Sequence, residues 1–386
     1  MHRGWNELKL EEICTLVNGR GFKPHEWKKE GLPIIRIQNL NGSDTFNYFD
    51  GSFNPKILVE PGQLLFAWSG SRGASFGPHI WDGPKGVLNY HTWKVIPSEN
   101  TDRDFLFQLL EFETQKIESS SHGASALVHV QKGEMEKRFF PCPGLQEQKK
   151  ISAVLRAWDK AISKYNRLQA LKTQRLLGLR SQLIAEAARE GEPAVFGDFL
   201  VESRAPGSNG QSAKKITVKL YGKGAVEKSE ARAGSSSTRY YRRSSGQLIY
   251  SKLDFLNGAF ALIDERLDGY ETTLDLPAFD CDPTINTRWL LNYLIRPVYY
   301  TSQVHLARGQ RKARRISPHD WLNSPIRLPA RAEQDRIVEI LDTAEHDLKI
   351  NEDLIEVLSR QKRGLMQKLL TGEWHVKTDG AGEAAA

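Results

Sequence analysis

The residues best suited to chemistry in this sequence are arginines gathered in one short stretch. Five of the eight residues from Arg308 to Arg315 are cationic, and Gly309 permits a tight turn. Arginine forms bidentate hydrogen bonds to guanine edges and, like lysine, neutralises phosphates. We therefore predict nucleic-acid contact here, with a solvated surface as the alternative. The predicted contact residues are Arg308, Gln310, Arg311, Lys312, Arg314 and Arg315.

A second cluster alternates arginine with tyrosine, in a Ser-rich stretch that we interpret as a flexible loop over residues 233–246. Aromatic rings can stack on bases while arginines pair with phosphates, although a mobile surface loop fits equally well. From this region we predict DNA contacts by Arg239, Tyr241, Arg242, Arg243 and Lys252. Earlier in the chain, where Gln and Asn suit adenine edges, the candidates are Arg36, Gln38, Asn39, Trp68, Ser69, Arg72, Lys85 and His122.

Catalytic motifs are absent from the sequence. The phosphate-binding spacing Gly-x4-Gly-Lys-Ser/Thr does not occur, and Gly19-Arg20-Gly21 lacks the third glycine of a dinucleotide fingerprint. Asn54-Pro55 lacks the second proline and the aromatic residue of an amino-methyltransferase signature. Glu147-Gln148-Lys149 resembles part of a nuclease site, but its later copy, Glu333-Gln334-Asp335, has lost the lysine. The chain is therefore predicted to be non-catalytic, with a stand-alone nuclease as the enzyme alternative.

The composition also favours a chain that binds a polyanion and carries no catalytic centre. The net charge is +7 and the isoelectric point is near 9.1, which suits a polyanionic partner. The ten histidines and three cysteines show no metal-ligand spacing, so we expect no metal and no cofactor on this chain. Without an 18-residue apolar run or an apolar N-terminal signal, we expect a cytoplasmic protein that does not enter the membrane.

A long internal repeat fixes the predicted architecture. The stretch from Pro143 to Ile151 returns 186 residues later, from Pro329 to Ile337, and each copy opens a long helical pattern. The segments before the two copies read as mixed strands and helices. The least matched stretches are 122–129 and 308–315. We predict globular domains at 1–144 and 191–330, long helices at 145–190 and 331–376, and a disordered tail at 377–386.

Both helical segments carry one apolar stripe, which predicts that they pair as an antiparallel coiled coil. Residues 145–190 contain 10 basic and 4 acidic residues, and residues 331–373 contain 7 and 10, so the charges are complementary. Gly178 and Gly364 are expected where the two backbones approach closely. The alternative is two helices packed on separate cores. The predicted interface residues are Ile151, Leu155, Trp158, Ile162, Leu179 and Leu183, with Ile337, Leu341, Leu348, Leu358, Leu365 and Leu369.

Taken together, these patterns resemble the specificity subunit of a type I restriction-modification system. The resemblance spans about residues 5–376, and its most specific element is the doubled helix opening, Pro-x-Leu/Ala-x-x-Glu-Gln-x-x-Ile-x-x-x-Leu. The other carriers are Trp5 to Ile13, Gly31 to Arg36, Pro61 to Leu65 with its echo Gly246 to Ile249, and Leu365 to Gly372.

The resemblance implies a mixed α/β chain with two target-recognition domains in a pseudo-twofold repeat, each reading one half of a bipartite, asymmetric DNA site. The helices would act as a ruler for the unread spacer and dock two methyltransferase subunits. It also implies two restriction subunits, with S-adenosylmethionine, ATP and Mg²⁺ bound on those partners. A helical assembly scaffold with degenerate DNA-binding modules is the other possible function.

Overall fold

The computed structural model describes residues 4–120, 127–229, 235–309 and 314–376. By the density of its contacts the chain divides into two units. The first unit comprises residues 1–166 and 353–386, and the second comprises residues 167–352. Each unit thus contains one globular part together with parts of both long helices, whereas the predicted domains followed chain order. The domain boundaries stay a prediction, and the predicted tail at 377–386 lies outside the described residues.

The first globular part alternates short strands with helices, as its hydrophobic pattern predicts. In chain order its elements are β1 (Asn6–Lys9), α1 (Leu10–Ile13), β2 (Cys14–Asn18), β3 (Leu32–Ile35), α2 (Ile37–Leu40), β4 (Tyr48–Phe49), β5 (Leu58–Val59), β6 (Leu64–Ala67), β7 (Ser69–Ser71), β8 (Gly77–Ile80), β9 (Gly86–Leu88), β10 (Thr92–Pro97), α3 (Arg103–Ser120), β11 (Leu127–His129), α4 (Lys132–Glu136) and β12 (Phe139–Cys142). Single 3₁₀ turns span Pro24–Glu26 and Pro55–Ile57.

The long helix α5 (Leu145–Glu190) follows, and the remaining elements then repeat the outline. They are β13 (Glu192–Val195), β14 (Leu200–Ser203), β15 (Pro206–Asn209), β16 (Ile216–Val218), β17 (Ala225–Glu227), β18 (Arg239–Arg242), β19 (Leu248–Tyr250), β20 (Phe260–Leu262), β21 (Glu271–Thr272), β22 (Ala278–Cys281), α6 (Thr287–Leu294), α7 (Pro297–Ser302), α8 (Pro318–Leu322), β23 (Pro325–Leu328) and α9 (Arg331–Leu370). Short 3₁₀ helices span Phe196–Asp198, Phe255–Asn257, Glu265–Leu267 and Gln303–Leu306.

One antiparallel sheet is common to both units. In the first unit its strand order is β2-β10-β6-β8, and in the second it is β14-β22-β19-β20. A two-stranded ribbon, β1-β12 or β13-β23, accompanies each sheet. This correspondence confirms the predicted mixed α/β repeat.

The additional sheets differ between the units. The first unit adds a sheet of order β4-β3-β9-β5, in which β3 and β9 run parallel. The second adds β15-β18-β21 and β16-β17. Strand β18 occupies part of the segment 233–246, for which the Ser-rich sequence favours the interpretation of a flexible loop. That interpretation is wrong for residues 239–242, because they pair with strands on both sides.

The two long helices pack against each other within each unit, as predicted. In the first unit Ile151 and Leu155 of α5 share a core with Met366 and Leu369 of α9. In the second unit Leu176 and Ile184 share a core with Ile337 and Leu341. Of the predicted stripe, Ile151, Leu155, Ile337, Leu341 and Leu369 are buried, whereas Trp158, Ile162, Leu179, Leu183, Leu348, Leu358 and Leu365 are partly buried.

The helices run antiparallel in the second unit, where Lys172 Nζ lies 2.8 Å from Asp347 and the Asn351 amide donates to Gln169 at 2.6 Å. The charge complementarity is confined to this unit. Residues 167–190 hold 5 basic and 2 acidic residues, and residues 331–352 hold 3 and 7. In the first unit both halves are net positive, with 5 and 2 in residues 145–166 and 4 and 2 in residues 353–370. Opposite charge therefore does not explain the pairing there.

The expectation for the two helical glycines is wrong. A Cβ built on Gly178 or Gly364 would meet no atom of the described residues within 4 Å. Both glycines face open space and not a neighbouring backbone. Helix α9 also ends at Leu370, before the predicted end at residue 376.

Candidate nucleic-acid interface

In the first unit, Trp68 joins two segments that are distant in sequence. Its N–H donates to the His91 carbonyl at 3.2 Å, and its own carbonyl accepts from the Val130 N–H at 3.0 Å. We call the set Trp68, His91 and Val130 the first junction. The residue before Val130 is His129, whose side chain is exposed at the end of β11.

The second unit repeats these backbone bonds with other side chains. The Lys252 N–H donates to the Asp275 carbonyl at 3.0 Å, and the Lys252 carbonyl accepts from the Ile316 N–H at 3.1 Å. We call Lys252, Asp275 and Ile316 the second junction. The residue before Ile316 is Arg315, which is exposed. One backbone arrangement therefore presents aromatic and imidazole groups in the first unit and charged groups in the second.

A stack of aromatic rings leads from the first core to the first junction. Phe66 stacks on Trp93 with centroids 5.5 Å apart, and Trp93 stacks on Trp68 at 6.2 Å. The Trp68 indole N–H donates to the Tyr90 carbonyl at 2.9 Å, which fixes the ring. A cleft of about 370 Å³ opens here, and its lining residues are Asn18, Gly19, Trp68, Tyr90, Trp93, His129, Val130, Gln131 and Lys132.

The corresponding stack in the second unit is shorter. Tyr250 stacks on Phe279 at 5.7 Å, and Lys252 stands where the first unit has Trp68. Burial lowers the pKa of Lys252, and the nearby cations Arg204 and Arg315 add to this effect, whereas carboxylates of Glu202 and Asp275 oppose it. Charges of both signs therefore meet at this junction.

The arginine-rich loop emerges from the second junction. Arg308 and Arg315 pair as an antiparallel bridge, with N–H to carbonyl distances of 2.9 and 2.8 Å. Arg315 Nε lies 3.5 Å from Asp275 Oδ1, while Arg308 and Arg314 are exposed. The predicted residues Gln310, Arg311 and Lys312 lie outside the described residues. We refer to Arg204, Lys252, Arg308, Arg314 and Arg315 as the cationic set. Sequence reasoning missed Arg204, which no local pattern marks.

Arg36 is placed at the start of α2, with its guanidinium over the Trp27 ring at 5.2 Å and donating to Asn47 Oδ1 at 3.0 Å. The exposed Gln38 donates to the Thr45 carbonyl at 3.2 Å. Both side chains lie near the surface, so their DNA contacts stay a prediction.

Asn39 does not suit the predicted role. Its side chain is buried, donates to the carbonyls of Ser43 and Thr45 at 2.9 Å each, and accepts from the Arg36 N–H at 3.0 Å. These three hydrogen bonds occupy the Asn39 side-chain amide and stabilise the turn that follows β3. Asn39 is therefore a structural residue, unlike its exposed neighbour Gln38.

The remaining first-unit candidates fall in different places. Ser69 lies in β7, paired with His129 of β11 at the cleft. Arg72 is exposed in the turn after β7. Lys85 is exposed and pairs with Glu60 at 2.6 Å, away from the cleft lining. The predicted contact His122 lies outside the described residues.

The turn from Asn89 to His91 was missed as an organising element. The Asn89 N–H donates to the Ile35 carbonyl at 3.0 Å, one residue before Arg36, and Tyr90 accepts from Trp68. The turn thus links the Arg36 region to the first junction. Its adjacent aromatic residues, Tyr90 and His91, were the available signal.

The Arg/Tyr cluster forms strand β18, which pairs with β15 and β21. Arg239 and Arg242 are exposed, and Tyr241 is partly buried. These three side chains remain candidates for DNA contact. A paired strand holds them more rigidly than the flexible loop predicted from the sequence.

Arg243 belongs to the core. It is 1% exposed, and its guanidinium donates to Thr272 Oγ1 at 2.7 Å and to the carbonyls of Ser203 and Leu276 at 2.7 and 3.3 Å. Burial lowers the pKa of Arg243 to about 10. Its predicted DNA contact is wrong, because the charge is used to satisfy buried acceptors.

The family model described as "Type I restriction modification DNA specificity domain" matches residues 2–173. The match covers 172 of the 386 residues, just under half of the chain, so over this part the chain is similar to the specificity family. The expected resemblance is thereby confirmed.

Two curated relatives carry specificity-subunit names. The EcoBI specificity subunit of Escherichia coli is 24% identical over 158 residues, covering 40% of this chain and 32% of the relative. The MjaVIII specificity subunit of Methanocaldococcus jannaschii is 27% identical over 192 residues, covering 48% and 43%. The matched stretch thus spans less than half the length of either relative.

Solved structures share the fold of this chain along most of its length. The S subunit of a type I restriction-modification system from M. genitalium matches with a TM-score of 0.53 at 12% identity, covering 95% of this chain and 96% of that one. A chain from a study of assembly and conformational transition of the type I R-M system matches with a TM-score of 0.61 at 17% identity, covering 97% and 99%. At these identities the likeness concerns the fold.

Within the described residues, no group of three or more His, Cys, Asp or Glu side chains is placed to hold a metal ion. No helix in those residues has the length and apolar character needed to cross a membrane. Burial raises the pKa of the Cys14 and Cys142 thiols to about 12, so neither thiol is an activated nucleophile.

Proposed function

We propose that the chain reads a bipartite, asymmetric DNA site, one half through each unit. The observation that carries this proposal is the repeated backbone frame at Trp68 and Lys252, which presents different side chains in each unit. A duplicated frame with unlike side chains suits the recognition of two unlike sequences. The similarity of residues 2–173 to a DNA specificity domain supports the same function.

The cationic set supplies a surface for DNA in the second unit. Arg308 and Arg314 are exposed and would neutralise phosphates, which fixes the position of the duplex. The partly buried Lys252 and the exposed Arg315 lie beside Asp275 and are suited to base edges. In the first unit, Arg36 and Gln38 together with the residues of the cleft would contact the other half of the site.

The long helices would assemble the partner subunits. An apolar groove of about 810 Å³ lies on the helix pair of the second unit, lined by Leu168, Leu171, Leu176, Leu179, Ile340 and Ala344, with Lys172, Arg175, Glu339, Thr343 and Asp347. Leu171 is 55% exposed there. Such a groove suits an amphipathic helix. We assign it to a modification subunit, two of which would bind the chain, together with two restriction subunits.

The chemistry would belong to those partners. S-adenosylmethionine, ATP and Mg²⁺ would bind to them, and this chain would contribute no catalytic residue. Its place of action would be the cytoplasm, where it meets DNA.

Mapping of methylated adenines across the genome of the host, with and without this chain, tests the proposal. We expect one bipartite, asymmetric motif to lose methylation when the chain is removed. An unchanged methylation map contradicts the proposal. A complex that assembles on the chain but retains no specific DNA sequence would instead indicate a pure assembly scaffold.

A further inference from the structure

The cleft at the first junction has the chemistry of a site for a planar ring. Its wall is the last member of the stack Phe66, Trp93 and Trp68, and the exposed Tyr90 stands beside it. Tyr90 is 47% exposed, and its carbonyl fixes the Trp68 indole. A volume of about 370 Å³ lies within the usual range for small-ligand sites, roughly 300–1,000 Å³.

Polar groups line the same cleft. Asn18 and Gln131 offer amides that both donate and accept, and His129 offers a ring nitrogen. Lys132 adds a cation, which pairs with Glu136 at 3.4 Å. A ligand that satisfies this lining is flat and aromatic, carries hydrogen-bonding edges and is linked to negative charge. A nucleobase within a nucleotide has all of these properties.

The second unit shows that the backbone frame does not require such a ring. Lys252 holds the place of Trp68 with the same backbone bonds, so an indole is not needed to close the junction. Among the described residues, the aromatic wall is therefore present at the first junction and absent from the second, as expected of a base-specific device.

We propose that this cleft binds one unstacked nucleobase of the DNA target, held against Trp68 and Tyr90. This inference rests on the proposed function. A base within a duplex has both faces covered, so it must leave the stack to meet an indole face. The first unit would then recognise part of its half-site by stacking, while the second uses charged groups.

An abasic scan tests the cleft directly. The full chain first selects its sequence from a randomised duplex library, and each nucleotide of the selected site is then replaced by an abasic one. At one position of one half-site we expect the wild type to lose about 5- to 100-fold in affinity. On the intact site, Tyr90→Ala and Trp68→Ala should already bind more weakly than the wild type by this factor. Replacing that one nucleotide by an abasic one should weaken the binding of these two variants little further. Trp68→Phe should retain much of it.

Phe139→Ala is the matched control, since Phe139 is an exposed aromatic residue of the first unit outside the cleft lining. It should respond to every abasic position as the wild type does. Tyr90→Ala still tests the cleft if Trp68→Ala fails to fold, because the Tyr90 side chain is largely at the surface and its removal should not disturb the fold. Equal sensitivity of Tyr90→Ala and wild type at every position overturns the inference while leaving the proposed function intact.

Free nucleotides provide the second arm. The four nucleoside monophosphates are titrated into the wild type and Tyr90→Ala. One outcome is saturable nucleotide binding that Tyr90→Ala removes, with no abasic position at which this variant and the wild type differ in sensitivity. That outcome would assign the cleft to a free nucleotide and overturn the DNA assignment. A wild-type chain that enriches no sequence from the library contradicts the proposed function and the cleft assignment with it.

Discussion

Gln148 and Gln334 perform the same structural task at the start of the two long helices. The Gln148 side chain accepts from the Asp102 N–H at 2.8 Å and donates to the Pro143 carbonyl at 2.9 Å. Gln334 accepts from the Asn286 N–H at 2.8 Å and donates to the Pro329 carbonyl at 2.9 Å. Both side chains are buried. The repeated Glu-Gln motif thus ties each long helix to the start of α3 or α6.

Replacing either glutamine should destabilise its unit. Gln148→Ala leaves the partly buried Asp102 N–H and the buried Pro143 carbonyl without this partner, so we expect a loss of about 2–4 kcal/mol. Urea unfolding of the full chain measures this loss. Gln146→Ala is the control, because Gln146 is exposed on the same turn and should change stability little. Equal free energies of unfolding for Gln148→Ala and Gln146→Ala would contradict this structural role of the Glu-Gln motif.

Lys362 is a buried cation between two acids of the first unit. Its Nζ lies 2.8 Å from Glu111 and 2.5 Å from Asp159. Burial raises the pKa of Glu111, and Lys362 opposes that rise. Lys362→Met should therefore cost about 3–5 kcal/mol at pH 8, because Glu111 and Asp159 lose their cationic partner, and Asp159 keeps only its hydrogen bond from Gln108.

Lys362→Met should lower the free energy of unfolding by a smaller amount near pH 4.5. Without the cation, the pKa of Glu111 in the folded chain stands still further above its unfolded value, so proton uptake at low pH favours the folded state. Unfolding at both pH values gives the comparison. Lys368→Met serves as the control, since Lys368 forms an exposed pair with Glu373 and should cost at most about 1 kcal/mol. A Lys362→Met penalty that does not vary with pH would contradict this electrostatic account.

Gly178→Ala and Gly364→Ala should each stabilise the chain by about 0.5–1 kcal/mol. Both glycines lie inside long helices, where alanine has the higher propensity, and the added methyl meets open space. Thermal unfolding shows the effect as a higher Tm. Gly19→Ala is the opposite control, because its methyl would collide with the Asn89 carbonyl. Destabilisation by either helical substitution would mean that the helix surface is more crowded there than the structure shows.

Leu171→Glu should prevent a modification subunit from binding while leaving the fold intact. Leu171 lines the apolar groove of the second unit and is largely exposed. A carboxylate there therefore raises the free energy of the docked complex more than that of the free chain. Leu177→Glu is matched to it, since Leu177 is 52% exposed outside the groove lining. Co-purification with the modification subunits separates the two variants. Loss of binding in both, or in neither, contradicts the assignment of the groove.

The sequence was sufficient for the architecture and insufficient for several site residues. The 186-residue repeat and the apolar stripes predicted the paired helices, because both patterns follow directly from residue spacing. Arg243 is buried against distant carbonyls, such as that of Ser203, which no local pattern reveals. The partners of Asn39 lie within six residues of it, but the turn that brings them together becomes apparent only in the structure. The equivalence of Trp68 with Lys252 was available from aligning Gly62–Phe66 with Gly246–Tyr250, but its meaning required the backbone bonds at the junctions.

The most direct test of the account is selection from a duplex library by the wild type and by a Lys252→Ala, Arg315→Ala double variant. The wild type should enrich two unlike half-sites. In the double variant, base preference should relax in one half-site only, because both substitutions lie at the second junction. If both half-sites relax equally, or neither changes, the two junctions do not read separate halves of the DNA site.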